Sequence, residues 1–156
     1  MTSRYKGMVT INPRYACFRL RVARSKIHGR GVYACESIPP GRKVIEYTGE
    51  KVGRAERERR LLRAWSLRRH PLLYLFTLDR YWAVDGGVGG SGAEIINHSC
   101  EPNLRTRRYK GHILYFSCRK IRAGEELTVD YRFARTAARV ECRCGAPRCR
   151  GTIDQR

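Results

Sequence analysis

In "CFRLRV", residues 17–22, apolar and basic positions alternate with the two-residue period of a half-buried strand. The same pattern predicts short strands at "VYA" (32–34) and at Lys43–Tyr47, the second entered through the Pro-Pro-Gly turn 39–41 and left through a turn at Gly49. "YLFTLDRYWAVD" (74–85) predicts two strands around Asp79 and Arg80, and "NLRTRRYK", "HILYFSC" and "ELTVDY" predict three more between residues 103 and 131. Helical spacing is clear once, in "RAERERRLLRAW" (54–65), with Leu61, Leu62 and Trp65 as its apolar side. Two glycine-rich loops interrupt the strands. One is "HGRGV" (28–32). The other, "GGVGGSG" (86–92), lacks Gly-Lys-Ser/Thr and is not read as a phosphate cradle. From Arg132 onward no period is visible. Many short strands, one clear helix and frequent turns predict a β-rich domain.

With 156 residues, 42% of them hydrophobic, the chain is expected to fold as one domain. The longest apolar run, "LLYLF", is too short to span a membrane, and "MTSRYKGMVTINPRYAC" lacks the apolar run of a signal peptide. The expectation is a soluble, intracellular protein with no membrane partner. The net charge is +19, from 33 basic against 14 acidic residues, and all but 6 of the basic residues are arginine. That charge suits a polyanionic neighbour such as nucleic acid or chromatin. It fits a codon-biased genome equally well.

Seven cysteines, an odd number, argue against a full set of internal disulfides. Cys17, Cys35 and Cys118 stand alone in apolar surroundings and are expected to be buried, inert thiols. Cys142, Cys144 and Cys149 differ in kind, falling close together in "ECRCGAPRCRG". Three thiolates on one short loop suit a structural zinc that takes a fourth ligand from elsewhere.

Two further stretches are "INHSCEPN" (96–103) and "GEELTVDY" (124–131). The order "HGRGV", "NHSCEPN", "GEEL…DY", then Cys-x-Cys-x4-Cys, resembles the SET-domain family of protein lysine methyltransferases from about Ile27 to Ile153. The resemblance implies a fold of small sheets with a knot-like C-terminal threading. It also implies a division into an N-terminal flank (1–26) whose strand pairs with the core, a SET domain (27–134) and a zinc-binding post-SET segment (135–156). Only Cys17 stands before "HGRG" in this sequence, so a cysteine-rich pre-SET segment is not expected.

The rest follows from that resemblance. The implied cofactors are S-adenosylmethionine, released as S-adenosylhomocysteine, and one structural zinc held by Cys100, Cys142, Cys144 and Cys149. His28, Gly29, Arg30, Asn97 and His98 are expected at the methyl donor. Tyr131 is expected to carry the essential hydroxyl, and Tyr74 to border both the donor and the lysine channel. Judged by their own surroundings, Asn97 fits a turn cap, His98 a core histidine, and both tyrosines plain strand aromatics. Val129 occupies the family position that helps set how many methyl groups are added. It offers no hydroxyl to anchor a crowding water, so products beyond monomethyl-lysine are expected, unless Phe133 or Tyr74 fills the space. Glu94 and Ile95 stand where the family usually has Arg-Phe. The acidic residue is expected to alter donor affinity or substrate charge preference, or else to face solvent.

The implied substrate is a protein lysine, on a histone tail or a nucleosome. Nucleic-acid contact through the positive charge and a monomeric state complete the expectation. The compartment is the nucleus in a eukaryote and the cytoplasm in a bacterial or viral setting. The competing classes are a catalytically inactive SET-like module that binds chromatin or nucleic acid, and a basic zinc-containing nucleic-acid binder.

Overall fold

A computed structural model describes residues 9–66, 74–132 and 140–153. Strand β1 (Leu20–Arg24) pairs antiparallel with β2 (Arg30–Ala34), and the Ser25 N–H donates to the Gly29 carbonyl at 2.9 Å to close the loop between them. The polar positions of β1 face outward, as the alternation at 17–22 predicted, although Cys17 to Arg19 precede the strand. β3 (Lys43–Tyr47) leads through a turn into β4 (Glu50–Gly53) and then α1 (Arg54–Ser66). A Cβ on Gly49 would lie 2.2 Å from the Asp85 carbonyl oxygen, so that turn requires glycine for a backbone-to-backbone approach.

β5 (Leu75–Thr77) and β6 (Trp82–Asp85) are the two strands expected around Asp79 and Arg80. The Asp79 carboxylate accepts the N–H groups of Tyr81 and Trp82, both at 2.8 Å, which sets the turn. β4, β6 and β5 form a three-stranded antiparallel sheet. Arg60 locks α1 to it, reaching Glu50 on β4 at 2.7 Å and the buried Asp85 on β6. The apolar side expected for α1 is only partly right. Leu62 is 71% exposed, and the buried position is Ala64. The anchor is the Arg60 network, so the helix does not need a wide apolar stripe. The Trp65 side chain lies outside the described ones.

A five-stranded sheet forms the body, in the order β3, β9 (His112–Ser117), β8 (Leu104–Tyr109), β10 (Thr128–Val129), β7 (Asn97–His98). β10, the last strand among the described residues, lies between β7 and β8 and runs parallel to both. The chain therefore threads back between two segments laid down earlier, as the family resemblance implies. The core gathers Val32, Ile38, Val44, Ile45, Ile96, Leu104, Ile113, Ile121, Leu127 and Val129, all nearly inaccessible. Each such aliphatic side chain contributes about 1.5–3 kcal/mol of transfer free energy.

Cys17, Cys35 and Cys118 are exposed, against expectation. Cys35 follows the buried Ala34 at a strand end and Cys118 follows the buried Ser117, so in each case the next side chain turns outward. Among the described residues no helix is long and apolar enough to cross a membrane.

Candidate active site and zinc centre

β7 is only two residues long, yet it organises the site. Asn97 and His98 are both buried. The Asn97 amide nitrogen donates to the His28 carbonyl at 3.3 Å, the Arg30 carbonyl at 3.0 Å and Glu126 Oε1 at 2.8 Å. One side chain thus fixes both ends of the His28–Arg30 turn. Gly29 sits at the apex with φ +48°, and no atom lies within 4 Å of where its Cβ would stand. The apex backbone is therefore open to a ligand. Arg30 also donates to the Val9 carbonyl at 3.0 Å.

Glu126 is the residue the sequence did not single out. Its carboxylate accepts from the Ser25 hydroxyl at 2.7 Å, Asn97 at 2.8 Å and the Tyr33 hydroxyl at 3.0 Å. A Cβ on Gly31 would lie 2.2 Å from Glu126 Oε1, so the second glycine of "HGRG" makes room for this carboxylate. Three donors converging on one glutamate hold the β1–β2 loop against β7.

Tyr131 is held at both ends by the Ile96–His98 stretch. Its backbone N–H donates to His98 Nδ1 at 3.2 Å, and its hydroxyl donates to the Ile96 carbonyl at 2.8 Å. Burial, followed by the charges of Tyr74 and Glu126, raises the phenol above its ordinary value, so the hydroxyl stays protonated. Tyr115, buried beside it, is raised in the same way. Tyr47, Phe76 and Tyr115 stack within 5.3–6.4 Å of one another, and the Tyr47 hydroxyl donates to the Tyr74 carbonyl. Tyr131 and Tyr74 thus stand at the edge of an aromatic cluster that packs on the core.

His98 links this region to the cysteines. A backbone N–H can only donate, so Nδ1 accepts and the neutral ring carries its proton on Nε2. Burial lowers the His98 pKa, consistent with that neutral form. Nε2 lies 3.5 Å from Cys100 Sγ, and its N–H points to the sulfur. Such an outer hydrogen bond to a ligand sulfur orients the ligand.

The four sulfurs of Cys100, Cys142, Cys144 and Cys149 lie within 4.8 Å of one another. Cys100 is 3.7 Å from Cys142 and 4.0 Å from Cys149. Tetrahedral zinc with Zn–S bonds of about 2.3 Å places sulfurs ~3.8 Å apart, so the set fits that ion. The N–H groups of Arg150 and Gly151 donate to Cys100 and Cys149 sulfurs at 3.3 and 3.4 Å. Burial raises the Cys100 and Cys142 thiols. Burial opposes ionisation of Cys144 as well, but backbone N–H groups and the neighbouring thiols bring it down to about 6.

Two arginines fasten the tail beside the cage. Arg150 forms a two-pronged pair with Asp130 at 2.9 and 3.0 Å, and Arg148 reaches Glu101 at 2.6 Å. Neither was distinguishable in the sequence from the many other arginines. Asp130 Oδ1 lies 3.6 Å from His98 Nδ1, beyond hydrogen-bond reach.

Glu94 does not face solvent. It folds back on the glycine-rich loop, accepts the Gly92 N–H at 2.8 Å and packs on Gly86 and Gly90, where burial pushes its carboxyl up. Ile95 is a core residue. Val129 is buried in the core, paired with His98 across β7. Phe133 lies outside the described residues.

A β-rich fold, a loop clamped to a buried asparagine, a two-point-held tyrosine and a four-cysteine cage define a SET-type domain. The SET-domain profile matches residues 29–132, and the chain belongs to that family. It is 39% identical over 160 residues to histone-lysine N-methyltransferase TRX1 of Oryza sativa subsp. japonica, covering 99% of this chain and 15% of that protein. It is 39% identical over 135 residues to histone-lysine N-methyltransferase 2B of Homo sapiens, covering 83% of this chain and 5% of that protein. With histone H3-lysine(4) N-trimethyltransferase ATX1 of Arabidopsis thaliana it shares 38% over 140 residues, 87% of this chain and 13% of the other. The chain thus spans only a small part of these relatives' length. Among solved structures it resembles the crystal structure of KRYPTONITE in complex with mCHG DNA and SAH, with a TM-score of 0.72, 30% identity, and 88% and 29% of the two chains covered.

Proposed function

We propose that this chain transfers methyl groups from S-adenosylmethionine to the side-chain amine of a protein lysine, on a histone in chromatin. The observation that carries the reading is Tyr131, fixed through its N–H to His98 and through its hydroxyl to Ile96, beside the Asn97-clamped turn. When bound, the donor supplies an electrophilic methyl on a sulfonium. His28, Gly29 and Arg30 offer it an open backbone turn, and Asn97 with His98 forms the floor.

The chain's own part is alignment and desolvation. An unperturbed lysine has a pKa of about 10.4, and the attacking amine must be neutral. The aromatic edge formed by Tyr74, Phe76 and Tyr115 removes water and disfavours the ammonium form. The Tyr131 proton is committed to Ile96, so its oxygen acts as an acceptor for an amine N–H and turns the nitrogen lone pair toward the methyl. Holding donor and acceptor in a near-attack arrangement is worth several kcal/mol. Tyr74 borders both partners. Val129, small and without a hydroxyl, leaves room for an already methylated amine to turn, so di- or trimethyl-lysine forms. The name of the Arabidopsis relative, a trimethyltransferase, supports that reading.

Cys100, Cys142, Cys144 and Cys149 would hold zinc, which would tie the cysteine-bearing segment to the body of the domain. The net charge of +19 favours a substrate carried on a polyanion, which a nucleosome is. The relatives named for histone lysines support a nuclear, chromatin location.

The test is mass spectrometry of nucleosomes and of a cell lysate after incubation with isotopically labelled donor. Methylated lysine on a histone is expected. Donor binding with no labelled lysine in either sample would favour an inactive binding module.

A further inference from the structure

Three of the large apolar side chains left exposed are aromatic, and all three lie at the tips or ends of two hairpins. Tyr81 is 56% exposed, Trp82 41% and Tyr109 51%. Each carries a cation over its ring. Arg80 stands 4.5 Å above Tyr81, Lys51 4.5 Å above Trp82, and Arg107 and Lys110 5.9 and 5.4 Å from Tyr109. The hairpins are β5–β6 and β8–β9, and Arg108 joins them. It donates to the Thr77 carbonyl at 2.8 Å and lies 5.5 Å from the Phe76 ring. Arg105 and Arg107 occupy alternate positions of β8 with Tyr109, so all three face one side.

None of Lys51, Arg80, Arg105, Arg107, Arg108 and Lys110 forms a salt bridge with a described residue. By contrast, Arg54, Arg59, Arg60, Arg119, Arg143, Arg148 and Arg150 are all paired with carboxylates. Arg14, Arg24, Arg42, Lys120 and Arg122 are also outside the salt bridges, so what distinguishes this rim is that its cations lie over exposed rings. The one carboxylate in the β5–β6 turn, Asp79, is occupied by backbone N–H groups.

We propose that this double-hairpin rim binds single-stranded nucleic acid, its rings stacking on unpaired bases while the arginines and lysines track the phosphates. The chemistry decides among polyanions. Base stacking on aromatic side chains is tolerant of sequence but needs bases whose faces are open. A duplex hides those faces, so it would use only the cations and leave Tyr81, Trp82 and Tyr109 unexplained. A lipid surface also accepts Tyr and Trp beside basic residues, but it needs a contiguous apolar face to insert with them. The other large exposed apolar residues, Leu62 and Val140, lie outside these hairpins. None of Tyr81, Trp82 and Tyr109 is given a part in methyl transfer, so the proposal stands whether or not a histone lysine is the substrate.

The test is fluorescence anisotropy with a labelled oligothymidylate of about 20 nucleotides, an RNA of equal length, the matching duplex and anionic phospholipid vesicles, each at several salt concentrations. Three double variants are compared: Tyr81→Ala with Tyr109→Ala, Arg80→Gln with Arg107→Gln, and Lys120→Gln with Arg122→Gln. The last pair lies beyond the opposite end of β9 and serves as control. The aromatic variant is expected to lose about fivefold or more in affinity for single strands and to leave duplex binding unchanged. The charge variant is expected to flatten the dependence of log affinity on log salt by about 0.7 per cation removed. The control keeps wild-type binding, and the DNA and RNA arms tell which strand is preferred. In the Trp65→Phe protein, where Trp82 is the remaining tryptophan, single strands should quench its fluorescence and duplex should not. That reading holds even if the aromatic double variant fails to fold. The proposal is overturned if single strands leave Trp82 unquenched, if the aromatic variant binds them as wild type, if the control pair loses as much as Arg80 and Arg107, or if vesicles compete equally.

Discussion

Glu126 shows how much can rest on one carboxylate. It joins Ser25, 101 positions earlier in the chain, to Asn97 and Tyr33. In the sequence it is one glutamate of "GEEL", and a strand glutamate reads as solvent-facing. Its role depends on contacts that only the folded chain brings together. Asn97 and Tyr131 were legible because they sit in a motif of fixed order and spacing. Glu126→Gln turns an amide N–H toward one of three donors, and an unmet buried donor costs about 1–3 kcal/mol. The variant is expected to bind S-adenosylmethionine about tenfold more weakly while keeping its zinc, as read by calorimetry and metal analysis on the same sample. Tyr131 makes a second prediction. Burial raises its phenol, so the fold favours the protonated form. The associated stability is full below the ordinary tyrosine value, ~10, and is lost as pH rises through the raised one. A single-turnover profile from pH 7 to about 10 should therefore rise with deprotonation of the substrate lysine, with no second break from Tyr131. A break that disappears in Tyr131→Phe would show that the phenolate forms.

The short strands were placed with fair accuracy because alternation and turn residues are local signals. β4 and β7 were not foreseen as strands, and β10 was overextended. "ELTVDY" reads as a six-residue strand, but only Thr128 and Val129 pair with β7 and β8, because Glu126 and Leu127 before them are bonded to Tyr33 and Val32 of β2. α1 was found, yet its buried face was misjudged because Arg60 anchors it through charge. Val129 belongs to this scale, since its side chain is set by the register of β10 on His98. Wild type is expected to give di- or trimethyl-lysine in a time course with excess donor. Val129→Tyr should shift the products toward one methyl, and Val129→Phe should not. Monomethyl product alone from wild type would contradict this.

Two of the devices proposed to hold the tail respond to acid in a fixed order. Zinc requires its thiolates deprotonated, so the metal leaves as cysteines take up protons. Burial raises the Asp130 carboxyl, but its pair with Arg150 outweighs that and holds it below the ordinary range. The contribution of that pair is complete above pH ~3.9 and is lost only as pH falls through the lower folded value. On acidification zinc release should precede loss of the Asp130–Arg150 contact, followed by a metal indicator and by proteolysis of the tail. Cys100→Ser should lose the metal at neutral pH.

At the scale of the molecule, the cage, the His28–Arg30 turn and Tyr131 form one connected object. Tyr131 donates to His98, His98 points its other nitrogen at Cys100, and Asn97 beside them clamps the His28–Arg30 turn. No local pattern reveals that threading, because it pairs β10 with strands on both sides that precede it in the chain. It was legible only through family resemblance. The outward turn of Cys17, Cys35 and Cys118 was not legible at all, since their apolar neighbours in sequence are not their neighbours in space. Under the proposed function, Tyr131 serves the transfer step and its hydroxyl is not needed to hold the donor. The most direct measurement is single-turnover methyl transfer by wild type and Tyr131→Phe on one lysine peptide, with donor calorimetry alongside. The account predicts that the variant loses at least tenfold in rate, a barrier rise of about 1.4 kcal/mol or more, with donor affinity within about twofold of wild type. A variant that keeps more than a tenth of the rate, or that loses donor binding in step with the rate, would contradict it.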